Sequence, residues 1–169
     1  MGQDKALLSW CGTPLYLHMA NVLKQAGIEK VLVNGPHQYP DTVQDIIPGR
    51  GPLSGVHAAL HSCTGGTLLI VPVDMPLLSP VDMTRLVSSG DGEYPLQFEG
   101  YSLPLLLPVH KASREAAEQA IASDNRKHYA LWRLMEKLGG KAVPAPDGHQ
   151  QSFCNTNTPQ DWQEVKGEQ

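Results

Sequence analysis

Apolar positions along the chain recur in two spacings that take turns. Leu15, Met19, Val22, Leu23 and Ala26 fall three or four apart, the period of one helix face, and Gly27 follows where a left-handed residue ends a helix. Lys30-Val31-Leu32-Val33-Asn34 is instead a short continuous run with β-branched members, the pattern of a strand covered on both faces, for which a parallel sheet is the natural host. Leu53, Val56, Leu60 and Cys63 return to helical spacing behind the glycine-rich stretch Gly49-Arg50-Gly51-Pro52-Leu53-Ser54-Gly55, and Gly65-Gly66 closes that helix. The run Thr67 to Val73 has strand length and the most buried character of any segment, so it predicts the central strand.

Two further helices are announced by their first turns. Ser79-Pro80-Val81-Asp82 places an N-cap hydroxyl, a proline at the first helical position and an acid three residues after the cap, and Thr158-Pro159-Gln160-Asp161 repeats the arrangement ahead of Trp162 and Val165. Between them the pattern predicts a strand over Tyr101 to Val109 and helices over Ser113 to Ala122 and Tyr129 to Leu138, the last closed by Gly139. A short strand is predicted at Ser152-Phe153-Cys154, and a surface loop at Pro144 to Gly148. Strands alternating with helices predict an α/β fold, a three-layer sandwich with a mostly parallel sheet, binding its ligand across the carboxyl ends of the strands.

Composition narrows the class. A chain of 169 residues, 41% apolar and 18% charged, suits a single globular domain spanning 1–169, with no internal repeat or linker. No run approaches the roughly 18 apolar residues of a membrane span. A net charge of −4 without a long basic run argues against nucleic acid as a partner. Cys11, Cys63 and Cys154 are odd in number and widely spaced with no CxxC pair, which predicts buried thiols rather than disulfides or a zinc site. With no signal-peptide pattern at the N-terminus, the expected compartment is the cytoplasm.

The chemistry centres on Asp74, the one carboxylate in Val71-Pro72-Val73-Asp74-Met75-Pro76, directly after the most buried-looking strand and on the edge where open α/β sheets bind ligands. Magnesium is held by only one or two protein carboxylates plus water and substrate phosphates, so one aspartate is chemically sufficient, although a turn cap before Pro76 would look the same. Lys5 could offer an ammonium that neutralises phosphate oxygens as a point charge; taken alone it reads as an ordinary solvated surface lysine. Asn155 and Asn157 flank Thr156 ahead of a capped helix, where their amides both donate and accept. His57 and His61 have the four-residue spacing of HExxH, but Ala58-Ala59-Leu60 lacks its glutamate, and the pattern is rejected as a zinc motif. No GxSxG or comparable nucleophile signature is present, so covalent catalysis is not suggested.

Met1-Gly2-Gln3-Asp4-Lys5-Ala6-Leu7-Leu8, Gly51-Pro52-Leu53-Ser54-Gly55, Pro72-Val73-Asp74-Met75-Pro76 and Asn155-Thr156-Asn157-Thr158-Pro159 follow in the order seen in the MobA-type molybdenum cofactor guanylyltransferases, and Gly12-Thr13-Pro14-Leu15 and Val31-Leu32-Val33-Asn34 match in place. The chain resembles that family over nearly its whole length. The resemblance implies a nucleotide-diphospho-sugar transferase-like fold and transfer of GMP from GTP to molybdopterin, with Mg2+ and release of pyrophosphate. It implies that Lys5 contacts the GTP phosphates, that Asn34 and Asp45 contact the nucleotide, and that Asp74 binds both metal and nucleotide. Gly51, Pro52, Leu53 and Gly55, with Asn155 and Asn157, would line the cofactor side. Transient contacts with molybdenum cofactor insertion proteins are the implied protein partnership.

Two departures accompany the resemblance. Family members open with a strand ending in Leu-Ala-Gly-Gly and then Arg-Met-Gly, whereas this sequence opens at Met1-Gly2, so the first strand and the front of its phosphate loop are expected to be missing. Val73 stands where cysteine often precedes the metal aspartate. The competing readings are a related transferase using CTP or a sugar phosphate, and a non-catalytic remnant that binds the cofactor or a partner.

Overall fold

The computed structural model describes residues 4–35, 39–148 and 150–167. In chain order these form strands β1 (Ser9–Trp10) and β2 (Thr13–Pro14), helix α1 (Leu15–Gln25), strands β3 (Val33–Asn34) and β4 (Thr42–Val43), helix α2 (Pro52–Ser62), strand β5 (Thr67–Ile70) and helix α3 (Pro80–Ser88). Strands β6 (Leu96–Phe98) and β7 (Leu105–Pro108), helices α4 (Lys111–Ile121) and α5 (Leu131–Lys137), strand β8 (Lys141–Val143) and helix α6 (Pro159–Gly167) complete the α/β fold, with 3-10 turns at Lys5–Leu7, Arg126–Tyr129 and Gln150–Phe153. They group into two compact units: Met1–Val31, Val71–Arg85 and Ala145–Gln169 in one, Leu32–Ile70 and Leu86–Pro144 in the other.

In the first unit, β1 and β2 form a hairpin through Cys11 and Gly12, both with positive φ, as a two-residue type I′ turn requires. The turn leaves Cys11 exposed, and Cys154 is also exposed while Cys63 is half-buried, so the expectation of buried thiols is corrected; none is in a disulfide. Trp10 is 3% exposed and packs with Leu15 of α1 and Val165 of α6, its ring edge-on to Trp162 at 5.5 Å. Both predicted cap signatures form. Ser79 Oγ donates to Asp82 Oδ2 at 2.8 Å and accepts from the Asp82 N–H at 3.1 Å, while Asp161 Oδ2 accepts from the Thr158 N–H at 2.8 Å and Thr158 Oγ1 accepts from the Asp161 N–H at 3.1 Å. The predicted strand at Ser152-Phe153-Cys154 is instead the end of the turn Gln150–Phe153, which places Phe153 inward at 4% exposure.

The second unit holds a four-stranded sheet in the order β5-β7-β6-β8 and the parallel pair β3-β4. The sheet is mixed rather than mostly parallel: β7 runs antiparallel to both β5 and β6, and only β6-β8 is parallel. The short link from Phe98 to Leu105 contains no helix and allows only an antiparallel return, whereas a parallel partner needs a crossover of a dozen residues or more. The strand expected to be central, β5, stands at one end of this order with its residues at most half-buried; the fully buried strand is β7. Leu105 and Leu107 on one face of β7 meet Leu53, Val56 and Leu60 of α2, Ala116, Ala117 and Ile121 of α4, and Leu131, Leu134 and Met135 of α5. On the other face Leu106 lies over Gly90, where a Cβ would come within 2.6 Å of its Cδ2. Each such buried leucine contributes about 1.5–3 kcal/mol relative to exposure. Burial, and next the neighbouring His61, push the His57 imidazole below its ordinary value, with Glu118 opposing.

Candidate active site

The first unit gathers three of the residues singled out by sequence. Asp4 Oδ1 accepts from the Ala6 N–H at 3.1 Å and shapes the turn Lys5–Leu7, from which the Lys5 side chain reaches two partners: Asp74 Oδ2 at 3.2 Å and Asn157 Oδ1 at 2.8 Å. Asp74 is seated through its own backbone. Its carbonyl accepts from the Thr156 N–H at 2.8 Å and from Thr156 Oγ1 at 3.1 Å, and Thr156 is 1% exposed. Asp161 orders the other end of that segment, accepting from the Asn157 N–H at 2.9 Å as well as from Thr158. Those bonds, the Thr158 amide's first, hold the Asp161 carboxyl below its ordinary range. In sequence Asp161 reads only as a helix cap, and Thr156 carries no signal beyond its place between two asparagines. Asn155 is exposed beside it.

The Lys5 and Asp74 side chains remain 30% and 20% exposed, so the pair faces solvent. A pair this open stabilises a fold by about 0–1 kcal/mol, too little to explain three chain segments converging on one ammonium. What the arrangement provides is a positioned cation beside a carboxylate, suited to an anionic ligand with a metal ion.

The second unit gathers the other nucleotide candidates. Asn34 Nδ2 donates to Val43 O at 3.0 Å and to Asp45 Oδ1 at 2.9 Å, which turns its Oδ1 toward Gly55. A Cβ at Gly55 would sit 2.4 Å from that oxygen, so any larger residue there displaces the Asn34 amide. The loop ahead of α2 is pinned by Ser54, whose Oγ accepts from the Arg50 N–H at 3.0 Å and donates to Ile47 O at 2.7 Å. Gly51, with φ 61, is the N-cap of α2 and Pro52 its first residue; both are exposed, whereas Leu53 is fully buried. Leu53 therefore serves as a core anchor under the loop, and its side chain does not line a ligand surface. Among the described residues no helix is long and apolar enough to cross a membrane.

Solved structures share this fold. A nucleotidyl transferase from Methanothermobacter thermautotroptrophicus superposes with a TM-score of 0.74 over 97% of this chain and 84% of its own, at 15% identity. The 2-C-methyl-D-erythritol 4-phosphate cytidylyltransferase of Thermus thermophilus superposes with a TM-score of 0.68 over 97% and 92%, at 16% identity. Residues 1–142 match the model of the MobA-like NTP transferase domain, and the chain belongs to that family. It is 35% identical to the molybdenum cofactor guanylyltransferase of Xanthomonas euvesicatoria pv. vesicatoria (strain 85-10) over 96% of this chain and 85% of that protein. It is 29% identical to a probable molybdenum cofactor guanylyltransferase of Pelotomaculum thermopropionicum over 95% and 83%.

Proposed function

We propose that this chain transfers GMP from GTP to molybdopterin, releasing pyrophosphate. The observation that carries the reading is the Lys5 ammonium held between Asp74 and Asn157, in a chain whose relatives bear the name of that activity.

The reaction asks little of a protein in covalent terms. A phosphate oxygen of the cofactor, already anionic near neutrality, forms a bond to the α-phosphorus of GTP, and the bond from that phosphorus to the oxygen bridging to the β-phosphate breaks, carrying the electron pair out with pyrophosphate. No strong general base is required, which agrees with the lack of a nucleophile signature. Lys5 neutralises phosphate oxygens, and Asn157 fixes where its ammonium points. The Asp74 carboxylate is a hard oxygen donor of the kind that holds Mg2+ together with water and substrate phosphates. Bound there, the ion would supply charge neutralisation at the triphosphate. Asn34 and Asp45 contact the nucleotide in this reading, and Gly51, Pro52, Gly55 and Asn155 line the cofactor side. A cytosolic location and transient contacts with cofactor insertion proteins belong to the same proposal.

Pyrophosphate release by the purified chain with GTP, Mg2+ and molybdopterin tests it, with CTP in a parallel reaction. Release with GTP well above CTP is expected. Release that is absent, or equal with both nucleotides, overturns the guanylyl assignment.

A further inference from the structure

In sequence His57 and His61 stand four apart with no glutamate between them. The packing of α2 on α4 supplies one: one ligand atom each from His57, His61 and Glu118 lies within 4.8 Å of the others. The three residues are used by no step of the proposed transfer.

We propose that His57, His61 and Glu118 form a binding site for one late first-row divalent cation, Zn2+ being the representative ion, that clips α2 to α4.

The donor set selects the ion. Two imidazole nitrogens and one carboxylate oxygen suit zinc, cobalt, nickel or copper, whereas magnesium favours oxygens throughout. Geometry agrees. A tetrahedral zinc with bonds of about 2.0–2.1 Å holds its ligand atoms about 3.3 Å apart, and His61 Nε2 lies 3.3 Å from Glu118 Oε1. The His57 and His61 ring centroids are 4.6 Å apart, so the two imidazoles stand side by side.

His57 adds a separate observation. It is 5% exposed, and its Nδ1 is buried without a hydrogen-bond partner. A buried unsatisfied ring nitrogen in a native fold calls for a reason, and a ligand is one. Access is open on the other side: the His61 and Glu118 side chains are 37% and 52% exposed, so an ion can reach them from solvent and water can complete its coordination.

The untagged, reduced chain in excess Mg2+ is titrated with ZnCl2 by calorimetry, alongside His61→Gln, Glu118→Gln and Asp74→Asn. The expected result is one zinc equivalent bound by the unaltered chain, with a raised thermal midpoint. Affinity should fall at least tenfold in both His61→Gln and Glu118→Gln, the lower end of what even outer-shell partners cost a metal site. Asp74→Asn should bind zinc unchanged. His61 and Glu118 are partly exposed, so both variants are expected to fold, as circular dichroism will verify, and to keep GTP-dependent pyrophosphate release. No zinc equivalent overturns the site. So does affinity unchanged in both variants, with the cysteine thiols then the donors, or affinity lost in Asp74→Asn. None of these outcomes depends on whether the chain transfers GMP.

Discussion

Lys5 and Asn157, separated by 152 positions in the chain, meet at 2.8 Å through the lysine ammonium and the asparagine amide oxygen. An amide oxygen accepts without cancelling charge, so it aims the ammonium while leaving it cationic for phosphate.

Lys5→Gln removes that charge and keeps a polar side chain of similar reach. If the ammonium stabilises charge developing on the triphosphate, kcat/KM for GTP should fall about 10²–10³-fold, as when one preorganised donor is removed from an active site. The thermal midpoint should hardly move, because a pair this exposed contributes about 0–1 kcal/mol. A full-rate variant would remove Lys5 from the catalytic set.

Asp74→Ala should abolish turnover while the far-ultraviolet dichroism and thermal midpoint stay close to those of the unaltered chain. The carbonyl that binds Thr156 belongs to the backbone and survives the substitution. Loss of the fold instead of the rate would recast Asp74 as a structural residue.

Gly55→Ala introduces a Cβ 2.4 Å from Asn34 Oδ1. The Asn34 amide must then move, which disturbs its bond to Asp45, so KM for GTP should rise while the thermal midpoint changes little, the displaced group being an exposed side-chain tip. Unchanged KM would dissociate Asn34 from nucleotide binding.

Asp161 is held below its ordinary value of 3.8 by the bonds it accepts from Thr158 and Asn157. The folded chain thus prefers the ionised form more strongly than the unfolded chain does, so this contribution is complete above the ordinary value and is lost as pH falls through the lowered one. Asp161→Ala should lower the thermal midpoint at neutral pH, and its deficit against the unaltered chain should shrink on acidification below about pH 4. Because the same carboxylate holds the Asn157 N–H, the variant should also lose kcat/KM at neutral pH. A deficit independent of pH would count against the carboxylate as the source.

Long periodic segments were legible without coordinates. The apolar faces of α1 and α2 and the serine and threonine caps of α3 and α6 stand where their spacing places them, because three to four turns carry enough repeats to fix a period. Two-residue strands have no period, so β1, β2 and β4 left no trace in the pattern. The Thr67 to Val73 run looked most buried because it is apolar, but a strand's burial depends on its neighbours, and β7, unlike β5, is flanked by strands on both sides. Lys5, Asp74 and Asn157, whose side chains meet in the structure, stand out in the sequence by motif order. Thr156 does not, since its part is to hold a backbone carbonyl, and Glu118 does not, since it reaches His61 from another helix.

The edge-on contact of Trp10 with Trp162 has a kinetic meaning. Trp162 stands five residues beyond Asn157, and its ring, with Val165, is what fastens α6. Transient release of that helix would carry away the amide that aims Lys5, so readiness for GTP and protection of the α6 amides against deuterium should report a single opening equilibrium.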